Sequence, residues 1–289
     1  GKNETIHAVN DVNLTINKGE ILALAGESGC GKSTLARTLL KLEKQKSGCV
    51  IFNSCKANDS FRKFAQMVFQ NPYASLNPKM KIFAILSEPL EINTDYSKDK
   101  ISEIIKEKIN MVGLDEACLD LYPHEFSGGQ RQRIAIARAL MLEPEFIIAD
   151  EPVSALDVSI QAQVINLLKE LKEKYNLTFL LITHDMSVIR YLADRVAIMY
   201  LGEIVEIGKT EDVFLNPLHP YTKALLNAVP QINKKLNNKS LLKGDLPSPS
   251  NLPEGCKFHT RCPRVMEKCK NSIPPVTGNF HKVKCFLYE

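Results

Sequence analysis

The stretch Gly26-Glu27-Ser28-Gly29-Cys30-Gly31-Lys32-Ser33 decides the fold, because it fits the phosphate-loop pattern G-x-x-x-x-G-K-[ST]. The apolar run of residues 21–25 precedes it and predicts a buried strand, and residues 33–40 follow it as a good helix opening. Strand, glycine loop and helix in this order form the context in which the motif binds nucleotide phosphates. The sequence therefore predicts an α/β fold of the P-loop NTPase class.

The residues of this loop have distinct expected roles. Gly26, Gly29 and Gly31 permit backbone dihedrals that other residues resist, so that backbone N–H groups can line a nest for an anion. The helix N-terminus adds its dipole. Lys32 is expected to reach the β- and γ-phosphates, and the Ser33 hydroxyl is expected to hold Mg²⁺.

A second strand carries two acidic residues at its end. Residues 146–149 are all apolar and predict a buried parallel strand, which Asp150 and Glu151 follow. Asp150 can hold the hydration shell of Mg²⁺, and Glu151 is a candidate to polarise an attacking water. Together with the loop, these residues predict hydrolysis of a nucleoside triphosphate.

Four further motifs resemble those of ABC transporter ATP-binding subunits, and the resemblance covers nearly the whole chain. Residues 126–130 (FSGGQ) resemble the family signature L-S-G-G-Q, with Phe in place of Leu. Gln70 resembles the glutamine that senses Mg²⁺ and water. Residues 154–157 (SALD) resemble the loop that crosses the dimer interface, and His184 resembles the switch histidine near the γ-phosphate.

This resemblance implies a RecA-like ABC ATPase core, an antiparallel β subdomain, a helical signature subdomain and a small Cys-rich C-terminal extension. ATP and Mg²⁺ are the implied cofactors, with Glu151, His184 and Lys32 as catalytic residues. Mg²⁺ is expected at Ser33, Gln70 and Asp150. The implied ATP contacts are Gly26, Glu27, Ser28, Gly29, Cys30, Gly31, Lys32, Ser33, Thr34, Gln70, Ser127, Gly128, Gly129, Gln130 and Asp157.

The signature also has a local interpretation. Ser127 is a good N-cap, and Gln130 three residues later completes a capping box. Gly128 and Gly129 leave the N-terminus of the helix bare, so that its N–H groups can meet a phosphate. The resemblance implies that this phosphate belongs to the ATP of another subunit, and therefore that ATP holds two subunits together.

Spacing suggests the domain organisation. We predict a core of residues 1–75 and 143–229, a helical signature subdomain of residues 76–142 and an extension of residues 230–289. A strand hairpin is expected at residues 8–20, close to the first residue, and we expect residues to be missing before Gly1. No apolar run approaches the length of a membrane span. Charged residues are ordinary in number, and no nucleic-acid partner is expected.

The C-terminal part resembles that of peptide and nickel importers. The similar segments are residues 216–226, 244–249 and 256–263, and residues 71–78 most resemble the second ATPase of dipeptide and oligopeptide systems. The resemblance implies a peripheral protein at the cytoplasmic face of the membrane that powers peptide import. Its implied partners are a second ATPase, as a heterodimer in preference to a homodimer, two permeases and, indirectly, a substrate-binding protein. Nickel or other small-solute import, a non-transport ABC ATPase and a metal-sensing regulator are the alternatives.

Four cysteines lie within the last thirty-odd residues, at Cys256, Cys262, Cys269 and Cys285. Structural disulfides are not expected in a cytosolic ATPase. Zinc prefers closely paired C-x₂₋₄-C ligands, whereas wider spacing suits a [4Fe–4S] cluster, so we predict the cluster with Zn²⁺ as the alternative. We expect a structural or docking role for this site, with ATP binding unaffected by its loss.

The charge distribution is a further hint. Residues 231–289 carry 11 Lys and Arg against 4 Asp and Glu, a net charge of +7, and the rest of the chain carries a net charge of −3. Basic neighbours would stabilise an anionic cluster. A solvated face, or a position near acidic lipid headgroups, is the alternative interpretation.

Overall fold

The structure, a computed structural model, describes residues 7–52, 61–228, 246–248 and 250–289. Among these residues, no helix is both long and apolar enough to cross a bilayer. The strands, in chain order, are β1 (Ile21–Ala25), β2 (Ala65–Val68), β3 (Phe146–Asp150), β4 (Thr178–Ile182), β5 (Arg195–Tyr200), β6 (Glu203–Lys209), β7 (Val276–Thr277) and β8 (Lys282–Lys284). The α-helices are α1 (Lys32–Leu39), α2 (Phe61–Phe64), α3 (Pro72–Ser75), α4 (Ile82–Asn93), α5 (Lys98–Met111), α6 (Gly128–Leu140), α7 (Val158–Tyr175), α8 (Met186–Leu192), α9 (Thr210–Leu215), α10 (Pro220–Ala228) and α11 (Glu267–Asn271).

The chain divides into two compact units. The first, here called the phosphate-loop unit, combines Ile21–Thr38 and Thr183–Glu289 with the segment that ends at Ile16. The second, here called the signature unit, comprises Asn17–Glu20 and Leu39–Ile182. The cysteine-rich extension therefore belongs to the same unit as the phosphate loop. The predicted domain boundaries remain a prediction, and the predicted start of the extension at residue 230 lies outside the described residues.

The phosphate-loop unit has a mixed sheet. Strand β1 pairs with β5 in parallel, and β5 pairs with β6 in antiparallel fashion across the tight turn at Leu201 and Gly202. Both turn residues have positive φ, 43° and 81°, as a two-residue hairpin turn requires. Strand β6 then pairs with β8, and β8 with β7, so the extension is joined to the sheet by backbone hydrogen bonds.

An apolar core lies against this sheet. Tyr200, Tyr221 and Phe258 are almost fully buried, and their rings contact one another in edge or tilted geometry. Tyr200 comes from β5, Tyr221 from α10 and Phe258 from the cysteine-rich segment. Three distant stretches of sequence therefore share one core.

The signature unit contains the parallel strands β2, β3 and β4, with β3 in the middle. Every residue of β3 and β4 is buried, which is typical of parallel strands covered on both faces. Helices α4 and α5 lie within residues 76–142, where a helical subdomain is predicted. Ile101, Ile105 and Ile109 form the buried face of α5, as their spacing predicts.

The predicted hairpin at residues 8–20 is wrong for the residues described. No strand is assigned over residues 7–20, although Val12, Leu14 and Ile16 are half-buried and alternate with exposed residues. This segment therefore has the side-chain alternation of a strand without the backbone ladder. Asn10 N–H instead donates to Gly202 O over 2.9 Å.

Candidate nucleotide-binding site

The phosphate loop connects the end of β1 to the start of α1, as predicted. Lys32 Nζ donates to the carbonyl oxygens of Gly26, at 2.8 Å, and Glu27, at 2.9 Å. Lys32 is only 6% exposed, so its ammonium group lies inside the loop. Ser33 and Thr34 are half-buried in the first turn of α1. The loop thus carries a buried positive charge directly beside a helix N-terminus, which is where an anion binds.

Two glycines of the loop are required for different reasons. Gly31 has a φ of 107°, and a Cβ atom there would lie 2.0 Å from Ala8 O, so any side chain would collide with backbone. Gly29 has a φ of 79°, a backbone conformation that residues with a side chain rarely adopt, although a Cβ atom there would have no other heavy atom within 4 Å. The loop is therefore closely packed at Gly31 and open at Gly29, where a phosphate can approach.

Cys30 faces the interior. It is 1% exposed, and burial raises the pKa of its thiol. Its Sγ lies 3.9 Å from Lys32 Nζ, within the protein. The side chain packs as a small apolar group, and the contact of Cys30 with ATP stays a prediction.

The predicted sensor glutamine and the predicted catalytic glutamate are neighbours. Gln70 lies just beyond β2, and Glu151 directly follows β3. Since β2 and β3 are parallel partners, their carboxyl ends lie side by side. Gln70 Nε2 donates to Glu151 Oε2 over 2.8 Å, and Asp150, the last residue of β3, is 6% exposed.

Glu151 has an unusual backbone conformation. Its φ is 46°, in the left-handed region that glycine favours, and its N–H donates to Ile182 O at the end of β4 over 2.8 Å. A non-glycine residue at positive φ is uncommon and is held there by the surrounding structure. The strand ends therefore hold this carboxylate in a defined orientation.

The signature forms the predicted capping box at the start of α6. Ser127 Oγ accepts from Gln130 N–H at 3.3 Å, and Gln130 Oε1 accepts from Ser127 N–H at 3.0 Å. Ser127 and Gln130 are exposed, whereas Phe126 is buried, which explains why an apolar residue other than Leu is accepted there.

Gly129 has a structural role that the sequence analysis missed. A Cβ atom at this position would lie 2.3 Å from Ile160 Cγ2 on α7. The glycine therefore allows α6 and α7 to pack closely, in addition to leaving the helix N-terminus bare. Ile160 lies 31 residues away, so no local pattern indicates this contact.

The remaining predicted residues lie at the surface. Asp157 is exposed at the N-terminus of α7, next to Val158, which is 82% exposed. His184 is exposed in the phosphate-loop unit, between β4 and α8. These exposed positions can take part in contacts with another subunit or with a bound nucleotide.

Two further residues contact the phosphate loop, and both come from the C-terminal part. Tyr221 Oη accepts from the Glu27 N–H over 2.8 Å, and Arg261 binds the Glu27 carboxylate through two hydrogen bonds of 2.7 and 3.0 Å. Both contacts join residues about two hundred positions apart in the sequence. The extension, although distant in sequence, therefore contacts the phosphate loop directly. That ATP binding survives loss of the cysteine site stays a prediction.

The four cysteines of the extension are close enough to influence one another. Burial is the main cause that raises the pKa of Cys256 to about 11, and the thiolates of Cys269, Cys285 and Cys262 raise it further. Cys256 N–H also donates to Cys269 O over 2.9 Å. Among the described residues, however, no group of three or more His, Cys, Asp or Glu side chains is arranged to hold a metal ion.

Comparison with known proteins identifies the family. The sequence profile of the family described as ABC transporter matches residues 9–154. The chain belongs to the ABC transporter family. A second profile, that of the oligopeptide/dipeptide transporter C-terminal region, matches residues 205–269 of this ABC ATPase.

Several curated proteins are similar to this ABC ATPase over nearly its whole length. The oligopeptide transport ATP-binding protein AppF of Bacillus subtilis is 50% identical, over 98% of this chain and 90% of AppF. The dipeptide transport ATP-binding protein DppF of Haemophilus influenzae is 49% identical, over 94% of this chain and 86% of DppF. The oligopeptide transport ATP-binding protein OppF of Escherichia coli is 48% identical, over 99% of this chain and 89% of OppF.

Solved structures agree with the assignment of the fold. The ATP-binding cassette MJ0796, solved as a post-hydrolysis dimer with ADP and Pi, superposes with a TM-score of 0.62 at 32% identity, over 70% of this chain and 90% of that one. The cbiO1 protein of Clostridium perfringens superposes with a TM-score of 0.65 at 29% identity, over 72% of this chain and 84% of that one. The ABC cassette fold, α/β with a mixed sheet, is therefore confirmed.

Proposed function

We propose that this chain is the ATP-hydrolysing subunit that powers import of dipeptides or oligopeptides through an ABC permease. The observation that carries the proposal is the match of residues 205–269 to the C-terminal region of oligopeptide/dipeptide transporters, on a chain about half identical to AppF. This C-terminal region is part of the phosphate-loop unit, and its first residues, 205–209, form most of strand β6.

The residues have the chemistry that phosphoryl transfer needs. Lys32 and Ser33 supply a cation and a hydroxyl at a helix N-terminus, for the phosphates and Mg²⁺. Asp150 and Gln70 supply oxygen ligands at two adjacent strand ends, and Mg²⁺ bound there would neutralise phosphate charge. The assignment of both groups to one ATP rests on the family motifs.

Glu151 is the residue that we assign to activation of water. Its carboxylate accepts a hydrogen bond from Gln70 and sits on a constrained backbone, so it is oriented in advance. A carboxylate held in this way can orient a water for in-line attack, and catalysis is then mainly positioning and charge neutralisation. We assign His184 to the γ-phosphate because of its place after β4.

The signature is proposed to act on the ATP of a second ATPase subunit. Ser127, Gln130 and Asp157 are exposed, and the exposed apolar Val158 adjoins Asp157, as expected for an interface. The similar cassette MJ0796 has been solved as a dimer. For the working complex we propose a heterodimer with a sister ATPase, because residues 71–78 resemble the second ATPase of peptide systems.

A groove in the signature unit is suited to a permease. It has a volume of about 340 Å³ and is lined by residues of α4 and α6 together with Phe69 and Leu42. Four of its lining residues are Leu42 and Ile92, which are 61% and 69% exposed, and Arg138 and Glu88, which form an ion pair of 2.8 Å. We propose that a helix from the permease binds here, which would place the chain at the cytoplasmic face of the membrane.

For the four cysteines we propose a [4Fe–4S] cluster. Cys256, Cys262, Cys269 and Cys285 are buried or half-buried, and the other three cysteines contribute to the raised pKa of Cys256. A cubane is larger than one zinc ion and is ligated by four thiolates from several sides. When bound, it would cross-link the loops of the extension.

Reconstituted transport tests the main proposal. The chain is assembled in vesicles with its sister ATPase, two permeases and the substrate-binding protein, and uptake of labelled dipeptides and longer peptides is measured with and without ATP. We expect ATP-dependent peptide uptake that Glu151→Gln abolishes and Glu173→Gln, an exposed control on α7, preserves. ATP-dependent uptake of nickel without peptide uptake would contradict the proposal.

A further inference from the structure

Glu27, the second residue of the phosphate loop, is held at two points by the C-terminal part of the chain. Its backbone N–H donates to Tyr221 Oη at 2.8 Å. Its carboxylate accepts two hydrogen bonds from Arg261, from Nη1 at 2.7 Å and from Nη2 at 3.0 Å. Both the backbone and the side chain of this loop residue are therefore fixed by residues outside the loop.

The ion pair between Arg261 and Glu27 differs from an ordinary surface pair. The Arg261 side chain is 7% exposed and that of Glu27 is 24% exposed. The hydrogen bonds to Glu27 are the main cause that raises the pKa of Arg261. A bidentate, charge-assisted pair that is largely shielded from water is stronger and more directional than an exposed one.

Arg261 is itself held in place by the core. Phe258, three residues earlier, is 1% exposed, with its ring centroid 5.2 Å from that of Tyr200 and 5.5 Å from that of Tyr221. The Arg261 guanidinium lies 5.9 Å from the centre of the Tyr200 ring. Phe258 thus anchors the segment between Cys256 and Cys262, and this segment presents Arg261 to the loop.

The contact continues to the lysine that binds phosphate. Lys32 Nζ donates to the Glu27 carbonyl oxygen over 2.9 Å. Glu27 therefore connects Arg261 and Tyr221 on one side with Lys32 on the other. A shift of Glu27 would move one of the two carbonyl groups that position the Lys32 ammonium.

We propose that Arg261 is a positioning residue for the phosphate loop, and that through it the C-terminal extension sets the affinity for ATP. Arg261 does not need to touch the nucleotide; it fixes the loop in the conformation that receives phosphates, which lowers the ordering cost of binding. The inference depends only on ATP binding by the phosphate loop, so a failure of the peptide-import proposal would leave it unaffected.

The experiment measures ATP affinity, KM and kcat for the purified full chain and its variants. Arg261→Gln is expected to raise Kd and KM for ATP by about tenfold, the usual scale for loss of a charged hydrogen bond, with kcat within about twofold. Arg261→Lys keeps the charge without the bidentate geometry and should recover part of the affinity. Arg264→Gln, which removes an exposed arginine three residues after Arg261, is the matched control and should bind ATP normally.

The Glu27→Gln variant distinguishes a positioning role of the Arg261–Glu27 ion pair from a direct electrostatic effect of Glu27 on bound ATP. Removal of a negative charge beside a bound anion would by itself tighten ATP binding, whereas loss of the ion pair should weaken it as Arg261→Gln does. The double variant should be no weaker than the weaker single variant, because both changes break one interaction. Amide hydrogen exchange over residues 26–33 should rise in both single variants.

Three results would overturn the proposal. One is an unchanged Kd for ATP in Arg261→Gln and Glu27→Gln, even if the thermal unfolding midpoint falls. An ion pair that only stabilises the fold would give this combination. Another is tighter ATP binding in Glu27→Gln. The third is additivity of the two changes in the double variant. If Arg261→Gln does not fold, Arg261→Lys and Glu27→Gln carry the same comparison.

Discussion

Gln70 Nε2 donates a hydrogen bond to Glu151 Oε2 over 2.8 Å, across the carboxyl ends of two parallel strands. The two residues are 81 positions apart, and each was singled out by a separate motif. Their contact orients the carboxylate that we assign to water activation. It also means that a change at either residue alters the geometry of the other.

Glu151→Gln is expected to stop turnover and keep ATP binding. The amide can still hydrogen-bond Gln70, but it cannot polarise water, so kcat should fall by about 10²-fold or more. ATP-bound subunits should then accumulate as a dimer, visible by size-exclusion chromatography with ATP and Mg²⁺. Glu173→Gln is the control, and Lys32→Ala should instead lose ATP binding. Hydrolysis at the normal rate in Glu151→Gln would remove this residue from the catalytic role.

Ser127→Asp tests whether the signature acts on a second subunit's nucleotide. Asp keeps an N-cap acceptor for Gln130 N–H but places a negative charge where a γ-phosphate is expected. Turnover should fall at least about tenfold, while ATP affinity of the isolated subunit stays the same. This position is a better choice than Gly129, where any side chain would collide with Ile160.

The matched control for this test is Ser97→Asp. Ser97 caps α5 in the same way, with its Oγ accepting from Lys100 N–H at 3.3 Å, and it is also exposed. We expect normal turnover in this variant. Equal loss of activity in both variants would contradict a specific effect of the negative charge introduced at Ser127. Normal turnover in Ser127→Asp would contradict a position of the signature against a γ-phosphate.

His219 is expected to make stability depend on pH. Burial lowers its pKa to about 3, against about 6.5 in an unfolded chain, and the positive charge of Lys223 lowers it further. The buried Nδ1 accepts the Tyr221 N–H over 3.1 Å. The folded chain therefore binds fewer protons between these values, and its free energy of unfolding falls as the pH drops from about 6.5 toward 3. The slope due to this residue is about 1.4 kcal/mol per pH unit.

His219→Asn should remove that slope. Asn can accept the same N–H in an Asx turn and does not titrate. Urea unfolding at several pH values between 7.5 and 4.5 measures the difference, and His124→Asn, at an exposed histidine, is the control that should keep the slope. An unchanged slope in His219→Asn would show that other groups cause the acid sensitivity.

The four cysteines should make the anaerobically purified protein brown, with about four iron and four acid-labile sulfide per chain. Cys269→Ser should lose the colour, because it replaces the thiol of this buried residue by a hydroxyl, which is a poor ligand for iron. Cys118→Ser, at a buried cysteine of the signature unit, is the control and should keep it. Colourless protein with one zinc per chain and no sulfide would establish the zinc site instead.

Much of the nucleotide site follows from the sequence because its motifs are local. The phosphate loop, the capping box of Ser127 and Gln130, and the strand that ends at Asp150 are each set by residues within a few positions of one another. Their glycine content, hydrogen-bonding groups and apolar runs specify the local conformation directly. The family resemblance then supplied their shared role.

Tertiary structure alone decided the contacts between distant segments. No sequence pattern indicates that Arg261 and Tyr221 hold Glu27, or that Gly129 is needed for Ile160 to pack. The contacts with Glu27 arise because the sheet and the core around Phe258 bring together segments about two hundred residues apart. The contact between Gly129 and Ile160 arises from the packing of helix α6 against α7. Likewise, residues 12–16 have the alternation of a strand but form no ladder in the described structure, since side-chain periodicity does not specify the backbone partner that a strand requires.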